Sequence, residues 1–307
     1  MKYLHLIRYK NLIVLASMQL TFRFGFLKLQ QCDLALANFQ FVLLVLATVF
    51  IAAGGYIINA IFDVDTDFEN GKKVLIGTEI SEKSAYNLYS FVTFLGVVIG
   101  FYLSNVILRP NFAVLFVLMA TLLYFYSTTL KPLPLIGNVV VAFLVSFSIL
   151  IIGIFDLYPA TDAINKPQMQ VIFSILVDYA IMAFIINLIR EIIKDLEDIK
   201  GDHAQDMKTL AIVLGASKTR LIGGGLVVLA ITFILLYVNN YVMVNHLYFA
   251  AIYVLIFVVA PLVYLFIQLI SAHEKKQFHQ LSSVLKFIMV SGIGSILVIT
   301  QNILHHV

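Results

Sequence analysis

Apolar residues run along this chain in long unbroken stretches, and polar residues gather between them. Asp33 to Asp63 encloses a stretch free of Asp, Glu, Lys and Arg, and so do Lys83 to Arg109, Arg109 to Lys131 and Lys131 to Asp156. Leu221 to His273 is a longer uncharged run, which Asn239, Asn240, Asn245 and His246 divide into two. Gln168 to Lys194 is apolar except for Asp178 and its last turn, and Phe287 to Val307 carries no Asp, Glu, Lys or Arg. A membrane-crossing helix needs about 20 mostly apolar residues. The pattern predicts nine, at roughly 10–28, 39–62, 84–107, 111–129, 134–156, 168–196, 218–238, 246–271 and 283–304. The first is the least clean, because Arg23 interrupts it. It lacks a small-residue cleavage site and reads as a span rather than a signal peptide. The runs are continuous rather than alternating, which excludes barrel strands. The expected fold class is all-α, an integral membrane bundle of about nine transmembrane helices forming one membrane domain over 1–307.

Composition agrees: 61% of residues are hydrophobic and 12% are charged, about half the charged share of a soluble domain. The 25 Phe and 15 Tyr exclude a disordered chain, and a single cysteine, Cys32, excludes a disulfide scaffold. A net charge of +3 is too small to argue for nucleic acid. Orientation follows from the basic residues. With the N-terminus in the cytoplasm, 16 Lys and Arg fall on the cytoplasmic side and only Arg23, Lys28, Arg109 and Lys166 on the other. The expectation is a multi-pass protein of the cell (inner) membrane.

Charge scarcity makes the 17 acids informative, and ten of them lie in Asp63–Glu69 and Glu191–Asp206. The orientation puts both segments on one membrane face. Asn59, Asp63 and Asp67 are spaced i, i+4, i+8 and share one helix face, from which Asp65 points away. Asp195, Asp198 and Asp202 are spaced i, i+3, i+7, again one face, which Glu191 extends; Gly201 is expected to end or bend that helix. Crowded carboxylates repel one another, and a cation offsets that cost. All-oxygen ligands suit Mg²⁺ or Ca²⁺, and Mg²⁺ is commonly held by a few carboxylates plus substrate phosphate. Interleaved Lys72, Lys73, Arg190 and Lys194 fit such a phosphate. The bland alternative is solvated loops; two acidic faces at span ends on one side weigh against it.

These segments resemble the motifs of the UbiA superfamily of intramembrane prenyltransferases. Asn59, Asp63 and Asp67 match its N-D-x-x-D-x-x-x-D motif, with Ala60 in place of the first Asp. Asp198 and Asp202 match its second, D-x-x-x-D motif, with Asp195 before them. Tyr126 to Lys131 followed by Gly137-Asn138 looks like the family's Y-S-x-x-L-K…G-N stretch, and Lys208-Thr209 follows the second motif as a basic residue and Thr often do. Arg190 to Asp202, and Val74 to Ser81, look most like the branch that makes digeranylgeranylglyceryl phosphate.

The resemblance implies Mg²⁺ on Asn59, Asp63, Asp67, Asp195, Asp198 and Asp202, chelating a prenyl diphosphate whose allylic C–O bond ionises. Asp63, Asp67, Asp198 and Asp202 would be the catalytic carboxylates. Tyr124 and Tyr126 would shelter the cation, and Lys131 and Asn138 would contact the diphosphate. The implied partners are a prenyl diphosphate, a hydrophobic acceptor such as geranylgeranylglyceryl phosphate, and the bilayer; no protein partner is evident. Prenylation of an aromatic or quinone precursor is the nearest alternative. An ion-coupled transporter would need charges near mid-span in several helices, and only Asp178 clearly stands there. Asn187 reads as an interhelical hydrogen bond, His203 as a loop residue, and His305 and His306 as a chain end.

Overall fold

The computed structural model describes residues 1–305; His306, half of the chain end read above, lies outside the described residues. Nine helices among the described residues are long and apolar enough to cross a bilayer. They are α1 Tyr9–Gln30, α2 Asn38–Phe62, α3 Glu82–Val106, α4 Pro110–Leu130, α5 Ile136–Ala160, α6 Lys166–Ala204, α7 Leu210–Met243, α8 Tyr248–Ser271 and α9 Lys275–Leu304. No strand forms among the described residues; Ile76 and Ile80 make one isolated bridge. In hydrocarbon every backbone N–H and C=O must find a partner within the protein, which an uninterrupted apolar helix provides for itself. The outer faces stay apolar: Phe91, Phe94 and Phe101 of α3 and Val228, Leu229 and Leu236 of α7 are exposed. Such a surface would associate in water and is at home among lipid tails. The chain is an all-α, multi-pass membrane protein.

α2 packs along α3, α5 along α6 and α6 along α7, while α9 closes against both α6 and α1. The helices surround a cavity of about 570 Å³. Every span except α3 contributes to its wall.

The helix ends differ from the sequence expectation where polar chain continues a helix out of the apolar layer. α6 is 39 residues long and runs to Ala204, past the expected end at 196. Gly201 therefore does not end it. α9 begins at Lys275 rather than near 283, and α7 begins at Leu210 with a break at Gly215, whose φ is 78°. Hydropathy marks only the immersed part of a helix, and these extensions are held by neighbouring chain instead.

Connections gather at two ends. The segments after α2, α4, α6 and α8 meet at one, together with the short helix Lys2–Leu6. There Lys2 Nζ donates to the Glu79 carbonyl (2.8 Å), Lys275 Nζ to the Asn70 carbonyl (2.6 Å), and the Lys208 amide to the Pro132 carbonyl (2.9 Å). At the other end Asn165 Nδ2 donates to Asp33 (3.1 Å) and Gln168 Nε2 to the Gln30 carbonyl (3.2 Å).

Arg23, which makes the first span look unclean, belongs to that second end. It does not face lipid or water: its side chain is 2% exposed, and its Nε lies 2.8 Å from Asp156 Oδ2, whose side chain is 0% exposed. Arg23 Nη2 also donates to the Leu36 carbonyl (2.6 Å), and the Leu36 amide donates to Asp156 Oδ1 (3.0 Å). A charge in a span is tolerated when its partner comes with it.

Candidate active site

α2 ends at Phe62, and a short helix, Val64–Glu69, picks up beyond Asp63. The hydrogen-bond ladder is not lost at the joint. The Asp63 amide donates to the Asn59 carbonyl (2.9 Å) and the Asp67 amide to the Asp63 carbonyl (2.8 Å). The four-residue spacing therefore keeps Asn59, Asp63 and Asp67 on one face across the joint. Asp65 is exposed on the far side. Asn59 Nδ2 donates to Asp63 Oδ2, and Lys131 Nζ pairs with Asp63 Oδ1.

The second acidic face comes from the polar extension of α6. Lys72 Nζ lies 2.7 Å from Asp198 Oδ2 and 3.3 Å from Asp67 Oδ1, so one ammonium ties the two motifs together. Asp195 accepts from Asn138 Nδ2 (3.0 Å), and Asp202 accepts from Thr209 Oγ1 (3.1 Å). Burial alone would lower the Lys72 pKa, but the Asp198 carboxylate, helped by Asp67, outweighs it and holds the pKa above the usual lysine value.

Gly201 is what lets the motifs approach. Its amide donates to Asn70 Oδ1 (3.0 Å), and a Cβ there would lie 2.7 Å from the Thr66 carbonyl oxygen. Only a residue without a side chain admits that backbone so closely.

Lys131 reaches Asp63 through a local irregularity. Tyr126–Leu130 forms a single π-turn, in which the Lys131 amide donates to the Tyr126 carbonyl (3.0 Å). Such turns insert one residue into a helix and are frequent at functional sites. Tyr126 and Asn59 line the cavity, so the acidic cluster sits just beyond the cavity's neck.

Some expected residues do not join this cluster. Lys73 is 72% exposed and pairs with Glu79 at 2.6 Å. Tyr124 is 41% exposed, meets Phe125 edge to face and is absent from the cavity wall. Each stands close to a motif in the sequence and points away from the cluster. Arg190 and Lys194 face the cavity and both pair with Glu191, at 3.0 and 2.8 Å. Asp178 lines the cavity as well. Asn187 donates within its own helix, to the Ala183 carbonyl (2.8 Å). Asn70, Gly201 and Thr209 were not expected as site-builders. The only signal for Thr209 was its place after the second motif, and the other two carry no chemical signature of their own.

Asn59 Oδ1 and Asp198 Oδ1, one from each motif, are buried oxygens without a hydrogen-bond partner. With the carboxylates around them they are a donor set of hard oxygens, which fits Mg²⁺. Among the described residues no three His, Cys, Asp or Glu groups converge closely enough to hold a metal ion. Lys72 and Lys131 supply the counter-charge in this structure.

A model described as "UbiA prenyltransferase family" matches residues 31–289. Two curated relatives are each named digeranylgeranylglyceryl phosphate synthase. The one from Thermococcus kodakarensis is 32% identical over 200 residues, 64% of this chain and 65% of the relative. The one from Methanopyrus kandleri is 36% identical over 166 residues, 54% of each chain. The chain thus matches between about half and two thirds of the length of these relatives. A solved structure described as concerning digeranylgeranylglyceryl phosphate synthase in membranes aligns over 97% of both chains, with TM-score 0.64 at 23% identity. A UbiA homolog from Archaeoglobus fulgidus, solved with DMAPP and Mg²⁺ and with GPP and Mg²⁺, aligns over 96% of this chain and 99% of its own, with TM-score 0.53 at 17% identity. At these identities the structural likenesses establish the fold.

Proposed function

The chain belongs to the UbiA prenyltransferase family, and we propose that it transfers a geranylgeranyl group from its diphosphate to geranylgeranylglyceryl phosphate. The observation that carries the reading is the double contact of Lys72 with Asp67 and Asp198, which joins two acidic motifs at the neck of an apolar cavity. The names of the curated relatives support the choice of substrates.

Asn59, Asp63, Asp67, Asp195, Asp198 and Asp202 would hold Mg²⁺, which supplies positive charge to the diphosphate and makes pyrophosphate a better leaving group. The Mg²⁺ printed for the A. fulgidus homolog supports this choice of metal. Lys72 and Lys131 add fixed positive charge beside the same carboxylates. Asn138 and Thr209 hold Asp195 and Asp202 in place. The tail lies in the apolar cavity, away from water, and Tyr126 stands at the neck, where its ring face suits allylic positive charge. The allylic C–O bond to the diphosphate breaks with its electron pair leaving on pyrophosphate, a new C–O bond forms at the acceptor hydroxyl, and the hydroxyl proton passes to the departing pyrophosphate.

The deciding assay uses the purified full chain, radiolabelled geranylgeranyl diphosphate and geranylgeranylglyceryl phosphate, with and without Mg²⁺. Mg²⁺-dependent formation of the diether product is expected. Transfer only to aromatic acceptors would overturn the substrate assignment, and no transfer to any acceptor would overturn the activity.

We also place the acidic end on the cytoplasmic side of the cell membrane. The 16-to-4 distribution of Lys and Arg supports this. In a Cys32→Ser background, Lys276→Cys at an exposed position should resist a membrane-impermeant thiol reagent in intact cells and react after lysis.

A further inference from the structure

One end of the cavity is far more cationic than the proposed donor site requires. Arg8 and Lys10 from the start of α1, Arg190 and Lys194 from α6, and Lys286 from α9 all line it. The acid among them is Glu191, which Arg190 and Lys194 already share. Among the described residues no carboxylate lies within ion-pair distance of Arg8, Lys10 or Lys286. Arg190 Nε is buried and donates to nothing. Arg8 adopts a left-handed backbone (φ 50°), strained for a residue with a side chain, and its guanidinium lies 5.3 Å over the Tyr56 ring. Asn11 Nδ2 in turn donates to Tyr56 Oη (3.2 Å). Tyr56 is one turn from Asn59 on α2, so this cluster adjoins the first acidic motif.

Arg190 and Lys194 are partly desolvated, at 12% and 27% side-chain exposure, while Arg8, Lys10 and Lys286 are exposed beside them at the cavity mouth; like charges gathered in this way repel, and an anion would offset that cost. The two charged regions differ in kind. Asp63, Asp67, Asp198, Lys72 and Lys131 are absent from the cavity wall. Their oxygen-rich cluster suits a diphosphate brought with a metal. The cavity cluster offers guanidinium and ammonium donors with little competing acid, which suits a metal-free phosphate monoester. Below it the cavity is apolar, lined by such residues as Met18, Phe22, Phe147 and Ile151.

We propose that Arg8, Lys10, Arg190, Lys194 and Lys286 form a seat for the phosphate monoester of the acceptor lipid, separate from the donor diphosphate site, with the acceptor's chain in the apolar cavity. The identity of the acceptor rests on the transferase reading above; the binding of a phosphate monoester with a long alkyl chain does not.

The test separates the two. Hexadecyl phosphate, hexadecanol and dipalmitoyl phosphatidylglycerol are titrated against the purified full chain in EDTA. Hexadecyl phosphate should bind at least about tenfold more tightly than the other two, and Arg8→Gln and Lys286→Gln should each weaken it by about five- to tenfold. Asp198→Asn should leave it within twofold. In the transfer assay the same two Gln variants should raise the KM for the acceptor and leave the KM for geranylgeranyl diphosphate within twofold. Equal binding of phosphatidylglycerol would mean an ordinary lipid-headgroup contact and would overturn the proposal. So would unaltered hexadecyl phosphate binding in both variants, or a rise in donor KM alone. Binding that tracks the cluster in a protein that transfers nothing would uphold the seat while removing the transferase reading.

Discussion

At one end of the bundle Arg23 and Asp156 meet in full burial, and the Leu36 amide and carbonyl close over them. At the other, Lys131 pairs with Asp63, and Lys72 with Asp67 and Asp198, yet Asn59 Oδ1 and Asp198 Oδ1 keep no partner. Both ends place opposite charges together. The first uses them to pin α1, α5 and the segment between α1 and α2, and neither Arg23 nor Asp156 reaches the cavity wall or the surface. The second leaves acceptor oxygens unspent beside an apolar cavity. An ion pair by itself therefore says little about function; whether a ligand has a path to it says more.

The largest expected effect is at the open end. Asp63→Asn and Asp198→Asn should each cut turnover by about a thousandfold or more, since several kcal/mol of metal-assisted charge stabilisation depend on these oxygens. Thermal melting of the detergent-solubilised protein should hold steady. Loss of fold instead of turnover would make both ends structural and erase the contrast.

Arg23→Met should do the reverse. Leaving Asp156 buried without its partner costs about 3–5 kcal/mol, read as a lower melting temperature, while activity per folded molecule is retained. The double variant Arg23→Met/Asp156→Leu should recover most of the loss, because an apolar pair fills the same buried site without desolvating a charge.

Gly201→Ala probes what brings the two motifs into contact. Its Cβ would press on the Thr66 carbonyl, and overpacking of this kind costs about 1–3 kcal/mol. The expected readout is a fall in turnover of about tenfold or more with little change in donor affinity measured by equilibrium binding.

The smallest effect concerns pH. The Lys72 pKa is raised above its ordinary value of 10.5 by Asp198 and Asp67 against the opposing pull of burial. A raised pKa for a base means its stabilising contribution is fully present below the ordinary value and fades as pH climbs through the raised one. Wild type and Lys72→Met should therefore differ by a constant melting temperature from neutral pH to about 10 and converge only above that. Convergence near neutral pH would show that Lys72 is not held charged by the two acids.

The spans were legible because immersion in lipid leaves a run of apolar residues, and the two acidic faces because four-residue spacing survives even a helix joint such as that at Asp63. Arg23 was misleading because its partner lies far along the chain on α5. The extension of α6 to Ala204 was hidden because polar helix outside the apolar layer resembles loop. Glycine's habit of ending helices misleads at Gly201, which sits inside α6 and serves a close approach. Arg8, Lys10 and Lys286 were legible only as charges on one side of the membrane, since their convergence on one cavity depends on how α1, α6 and α9 pack.

The π-turn at Tyr126–Leu130 has a consequence for how this chain can vary. It is one residue too many for a regular helix, and the helix wheel beyond it is rotated accordingly. Losing a single residue there would restore the regular ladder and swing Lys131 by about 100° away from Asp63. The span would remain long enough to cross the bilayer. A deletion invisible to hydropathy would thus sever the contact between α4 and the first acidic motif, so among descendants of this chain a length change at this one turn should be far rarer than one in the loops.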